Sequence, residues 1–183
     1  LQGSDEEFIE FERINDRNTI NRVRYYYPLQ EHLGKKHGIT WLEQKILLVM
    51  EHAIRVNRLR HMQDVAQIGK GSQWFSITDD FAKYIVSRKN FIHQLCKGTR
   101  APDEVFVQTL ALNSDYKNRI ASKQDGNLRY IRWETGNSPQ FLSHEDLEGM
   151  IRSKKLFARK FNDSPEMRSL KRDLLKLISE DND

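Results

Sequence analysis

Two short strings in this chain carry the residue types that group-transfer chemistry needs: Pro102-Asp-Glu104 and Leu156-Phe-Ala-Arg-Lys-Phe161. A carboxylate in the first turn of a helix faces free backbone N–H groups and the positive end of the helix dipole. It therefore stays ionised and can serve as a base. The same acids also occur as plain helix-start residues, and the string alone does not choose between the two. In the second string two adjacent cations sit inside an aromatic, apolar segment. Arg forks and Lys point charges are the usual partners of phosphate oxyanions, although cations snorkelling at the end of an element would read the same way.

Other chemistries find little footing. The six histidines, His32, His37, His52, His61, His93 and His144, make no HxH or HExxH spacing, so no metal site is expected. There is no GxSxG and no Walker loop, since Gly69-Lys-Gly71-Ser72 has too few glycines at the wrong spacing. The single cysteine, Cys96, excludes an internal disulfide and a Cys-based zinc cluster, and between Leu95 and Lys97 it reads as a buried thiol.

The elements that must position these strings mix helix and strand, which places the chain in the α/β class. Its 183 residues, 38% hydrophobic, suffice for one ordinary domain or a large piece of one. Alternation predicts a short strand over Glu7–Ile14 and β character for Arg22–Tyr27. Leu42, Ile46, Val49, Ala53 and Val56 recur at helical spacing and predict a helix from about Trp41 to Arg60, its last turn made cationic by Arg55, Arg58 and Arg60. Gly71–Ile77 reads as a buried strand, and Thr78 as the N-cap of the helix that follows. Further helices are expected from Pro102 to Leu112, from the capping box at Ser143–Asp146 to Lys154, and from Ser164 on, with a strand over Asn127–Glu134.

Four strings, GSQWFSITDDFAKYI (71–85), APDEVFVQT (101–109), LRYIRW (128–133) and LFARKF (156–161), stand in the order and at the spacing of one family. Together they resemble the core-2/I-branching β-1,6-N-acetylglucosaminyltransferases and peptide O-xylosyltransferases. That resemblance implies a GT-A-like fold and an inverting glycosyltransferase that uses a UDP-sugar without a divalent metal or other cofactor; the one DxD string of the chain, Asp181-Asn-Asp183, falls in the C-terminal tail that is expected to fray. It makes Glu104 the catalytic base, places Lys160 and secondarily Arg159 at the donor diphosphate, and puts Trp133, with Glu10 and Arg24, at the acceptor. The chemistry is consistent: a departing diphosphate needs fixed cations, and one Lys at about 4 Å supplies roughly 4 kcal/mol at an effective dielectric near 20 before desolvation. GlcNAc is the expected sugar and xylose the alternative.

The resemblance also has gaps. Leu1–Asp5 resembles the family's [SA]-G-x-D-x-P segment but is followed directly by Glu6-Glu7-Phe8. The family's N-terminal nucleotide-binding strands have no counterpart here. Residues 1–162 are therefore expected to be the acceptor-and-base portion of the catalytic domain, and 163–183 a C-terminal helix and frayed tail. Pro139–His144 lacks the family's second diphosphate-binding cation. One cysteine and no apolar span suggest a cytoplasmic, bacterial-type member working on envelope or capsule glycans, open to peripheral association with the inner face of the membrane.

Two other readings compete. A net charge of +4, with Arg22 and Arg24 beside Tyr25–Tyr27, admits nucleic acid, but the scattered acids leave no single-sign stripe and no nucleic-acid partner is expected. A non-catalytic fragment that binds a glycan or a protein is the second alternative. Oligomeric state is not legible.

Overall fold

The computed structural model describes residues 5–28, 38–62, 65–124, 126–134, 138–153 and 155–180. These fall into two compact units, Leu1–Asn127 and Leu128–Asp183. His32, His37, Lys154 and the segment 1–4 lie outside the described residues.

In the first unit the expected strand over Glu7–Ile14 is broken into two. Phe8–Ile9 (β1) pairs antiparallel with Phe75–Ser76 (β4), and Arg13–Ile14 (β2) pairs antiparallel with Gly69–Lys70 (β3). The chain changes partner between them, and there Gly71 is pressed against the backbone: a Cβ on it would stand 1.8 Å from the Glu10 carbonyl oxygen. Phe8 and Ile9 are buried while Ile14 is exposed, so only the first half of the apolar alternation enters the core. The Gly71–Ile77 strand likewise shrinks to two residues and leaves Trp74 outside.

The β character expected of Arg22–Tyr27 gives way to a helix, Arg17–Arg24 (α1). Asp16 caps it by accepting from the Asn18 and Thr19 amides at 3.0 and 3.3 Å, and Thr19 and Val23 turn to the buried side one turn apart. Extended backbone begins only at the Tyr25 cap.

Helix α2, Ile39–Ala53, stops before the cations expected in its last turn, and it is inverted. Its buried residues are Gln44 and Glu51, whereas Leu42, Ile46 and Val49 of the apolar stripe are exposed. The cause is a pair of hydrogen bonds: Gln44 Nε2 donates to the Tyr26 carbonyl at 3.0 Å, and Glu51 Oε2 accepts from the Tyr26 amide at 2.9 Å. They satisfy backbone that no strand partner reaches. Arg58, in the 3-10 turn Arg58–His61, serves other helices instead. Its guanidinium donates to the Val23 carbonyl near the end of α1 and to the Gln94 carbonyl in Lys89–Cys96 (α4), both at 3.0 Å.

Thr78 caps α3 (Asp79–Ser87) as expected, its hydroxyl accepting from the Phe81 amide at 3.3 Å. The same hydroxyl donates to Glu7 Oε1 at 2.6 Å, and Glu7, fully buried, also meets Arg119 at 3.2 Å. Helix α5 (Phe106–Leu112) runs through the middle. Val107 and Ala111 pack with Ile9 and Phe81, while Val105, just before it, packs with Val23, Ile68 and Leu95. Cys96 is half-buried, and burial pushes its thiol up to about 11, which makes it a poor nucleophile at neutral pH.

In the second unit Arg129–Ile131 (β5) and Phe157–Arg159 (β6) pair in parallel. The capping box at Ser143 and Asp146 forms, and the helix after it, Leu147–Arg152 (α6), ends before Lys154. Helix α7, Pro165–Glu180, buries Met167 and Leu170 against Leu142 and Met150 but leaves Leu177 and Ile178 exposed. Among the described residues no helix is long and apolar enough to cross a membrane.

Gly71→Ala is expected to destabilise the first unit by about 1–3 kcal/mol, because the added methyl meets backbone rather than a movable side chain. Gly38→Ala, at the start of α2 with nothing within 4 Å of the new Cβ, should shift stability by only a few tenths of that. Urea titration of both variants checks the contrast.

Candidate active site

Glu104 ends a 3-10 turn, Pro102–Glu104, rather than opening an α-helix; α5 begins two residues later. Its backbone is held at both ends, the carbonyl accepting from the Gly71 amide at 2.9 Å and the amide donating to the Ala101 carbonyl at 3.3 Å. The side chain, 37% exposed, is thereby fixed beside α1 and β3.

Two cations meet one of its oxygens. Arg22 Nη1 donates to Oε2 at 2.8 Å, and Lys70 Nζ stands 3.4 Å from the same atom. Lys70 also pairs with Glu12, so a chain of alternating charge links Arg22, Glu104, Lys70 and Glu12. Burial alone would raise the Glu104 pKa; the Arg22 hydrogen bond and the Lys70 and Arg22 charges outweigh it, and the carboxyl titrates below its ordinary value. Glu104 is thus held ionised, as expected, but by a different cause. A one-turn 3-10 segment offers little dipole, and the cations do the holding.

Sequence reasoning did not find Lys70 or Glu12, and it took Arg22 only as a nucleic-acid contact. The available signal was a lysine between two glycines, Gly69 and Gly71, which bring its backbone against Gln108 and Glu10. Glu10 lies in the same region: its carbonyl accepts from Gln108 Nε2 at 3.4 Å and its carboxylate from Asn127 Nδ2 at 2.9 Å. Arg24 carries none of the ion pairs that hold Glu104; its Nε is buried without a hydrogen-bond partner.

The remaining expected residues belong to the second unit. Trp133 is 57% exposed and so is not part of the core. It follows β5 as Lys160 follows β6, so both stand beyond the carboxyl ends of a parallel pair, where α/β folds commonly place ligands. Lys160 Nζ lies over the Phe141 ring at 4.8 Å. Arg159 shares a strand face with Arg129, which sequence reasoning missed; burial and then the Arg159 charge lower the Arg129 pKa. Among the described residues no group of three or more His, Cys, Asp or Glu could hold a metal ion.

No curated protein matches the chain. The family model described as Core-2/I-Branching enzyme matches residues 22–151, a span that contains Arg22, Lys70, Glu104 and Trp133. With well over half of its 183 residues inside that match, the chain belongs to the core-2/I-branching enzyme family, a family of glycosyltransferases.

Proposed function

We propose that this protein is an inverting, metal-independent transferase that moves a sugar, GlcNAc by resemblance and xylose as the alternative, from a UDP-sugar to a glycan hydroxyl. One observation carries the reading. Glu104 has one carboxylate oxygen held by Arg22 and Lys70, and none of the described side chains pairs with the other. Oε1 is therefore free to accept the acceptor's hydroxyl proton. In the reaction the acceptor oxygen attacks the anomeric carbon while its proton passes to Glu104. The bond from that carbon to the diphosphate breaks on the opposite face, and UDP leaves with the bonding electrons. Configuration inverts in a single displacement.

The cations that hold Glu104 also limit it. A carboxylate with a lowered pKa is always charged at neutral pH but is a weak base. It suits a proton that leaves late, as the new bond forms, rather than one removed beforehand. Lys160 is assigned to the diphosphate, with Arg159 and Arg129 as neighbouring cations. The exposed Trp133 ring suits stacking on a sugar, and Glu10 and Arg24 are assigned to the acceptor. The single cysteine is consistent with a cytoplasmic enzyme, and envelope or capsule glycans complete the proposed reading.

Glu104→Gln keeps the Arg22 geometry but removes the base. It should lower kcat by about 100- to 10,000-fold with the fold retained. UDP release from UDP-GlcNAc and UDP-xylose, with EDTA present and a panel of acceptor sugars, measures this. Release that survives EDTA in the wild type and vanishes in the variant is expected; full turnover in the variant would refute the base.

A second test concerns the cations. Since the Glu104 pKa is lowered, the acid limb of kcat/KM should lie below the ordinary glutamate value of 4.5. Arg22→Met and Lys70→Met should each move that limb to higher pH, because burial is then less opposed. The same pair contributes stability that is present above the unfolded-state pKa and fades as pH falls through the lowered folded value, so acid unfolding should begin earlier in Arg22→Met. A limb that does not move in either variant would remove their positioning role.

A further inference from the structure

Helix α2 turns its polar side inward and leaves an apolar side uncovered. Ile39, Leu42, Ile46, Val49 and Met50 are each between 52% and 77% exposed. At 100° per residue they fall, with Ala53, within about one-third of the helix circumference, and no polar side chain interrupts them. Gln44 and Glu51, tied to the Tyr26 backbone, fix the opposite side, so rotation of the helix cannot bury the stripe without breaking two hydrogen bonds.

The borders of the stripe say what covers it. Lys45 and His52 follow one another along one edge, and Arg55 stands exposed just past the helix end. Trp41 lies 5.4 Å beneath the Lys45 ammonium, and the Tyr25 hydroxyl meets His52 Nδ1 at 2.9 Å. A continuous apolar strip bordered by the Lys45 and Arg55 charges and by aromatic rings with polar tips matches a helix lying in a membrane interface. The only acid along the border is Glu43, on the far edge.

A second copy of the chain fits less well. Residues 39, 42, 46, 49 and 53 keep heptad spacing, but 15 residues give only two heptads, where a stable seam needs about three or four. The flanking charges also fail to match: an antiparallel pair would bring Lys45 against His52, and a parallel pair would bring it against Met50.

We propose that the outward face of α2 docks this protein on an anionic lipid bilayer. The inference stands apart from the transferase reading and is tested without substrate. The 183-residue chain is sedimented with vesicles of phosphatidylcholine mixed with phosphatidylglycerol, and with vesicles of phosphatidylcholine alone. Binding to the mixed vesicles is expected, weakened about tenfold or more in Leu42→Glu/Val49→Glu. Lys45→Glu should weaken binding to the mixed vesicles only. Because the substituted side chains are exposed, far-UV circular dichroism should be unchanged; Leu42→Ser/Val49→Ser is the milder variant should the first unfold. Absence of wild-type binding, or equal binding by folded variants, overturns the proposal. So does a wild-type dimer in sedimentation velocity that the variants dissociate without any vesicle binding, which would assign the face to a second copy.

Discussion

The arrangement of the first unit around Glu104 depends on one pair, Arg22 with Glu104, formed between residues 82 apart in sequence. Each partner is anchored before the two meet. Arg22 lies in the last turn of a helix set by the Asp16 cap, and its carbonyl accepts from the Arg100 amide at 3.3 Å. Glu104 is held by the Gly71 amide and by the turn that Pro102 begins. The pair therefore spends little side-chain entropy on finding its geometry, which is the usual weakness of partly exposed salt bridges. It joins α1 to the turn before α5, so the position of the carboxylate and the packing of Val23 against Val105 express one arrangement.

A second rule shapes the unit: buried backbone must find hydrogen-bond partners, and apolar burial yields to that need. Sheets here are two residues long, so much of the chain near Tyr25–Tyr27 has no ladder to join. Gln44, Glu51 and Arg58 supply the missing donors and acceptors. Tyr26 receives both a donor and an acceptor from α2, and Arg58 closes carbonyls on α1 and α4 while its guanidinium stacks on the Tyr26 ring at 4.7 Å. The cost is an apolar helix face left in the open, a larger exposed patch than a single scattered leucine would make.

These interactions explain what was legible in the sequence and what was not. Local signals held where neighbours within a few residues decide them, as at the Thr78 cap and the Ser143–Asp146 box, whereas Pro102 opens a 3-10 turn instead of the expected α-helix. The amphipathic pattern of α2 correctly marked a helix but reversed its inside and outside. Periodicity reports that one face is apolar, not that it is buried, and the deciding partner was a backbone segment well upstream. The tyrosines of Tyr25–Tyr27 suggested a strand, yet Asp16 had already set a helix as far as Arg24. Glu104 and Trp133 were singled out through motif resemblance, whereas Lys70 and Arg129 were not, since their neighbours come from contacts across strands and helices. Legibility follows contact range.

The division of labour between the two cations follows from how each is shared. Lys70 is the more buried, its side chain 11% exposed against 24% for Arg22, but its charge is divided between Glu12 and Glu104. Arg22 makes the shorter contact with Glu104, and its hydrogen bond is the largest influence holding that carboxyl down. Arg22 therefore mainly sets the charge of the carboxylate. Lys70, fixed by glycines on both sides and by Glu12, mainly sets where Oε2 can lie, and so which way Oε1 faces. With the two cations on one oxygen, a proton arriving at Glu104 meets least repulsion at Oε1. In the proposed reaction that asymmetry would direct the proton to Oε1 and leave Oε2 as the anchor.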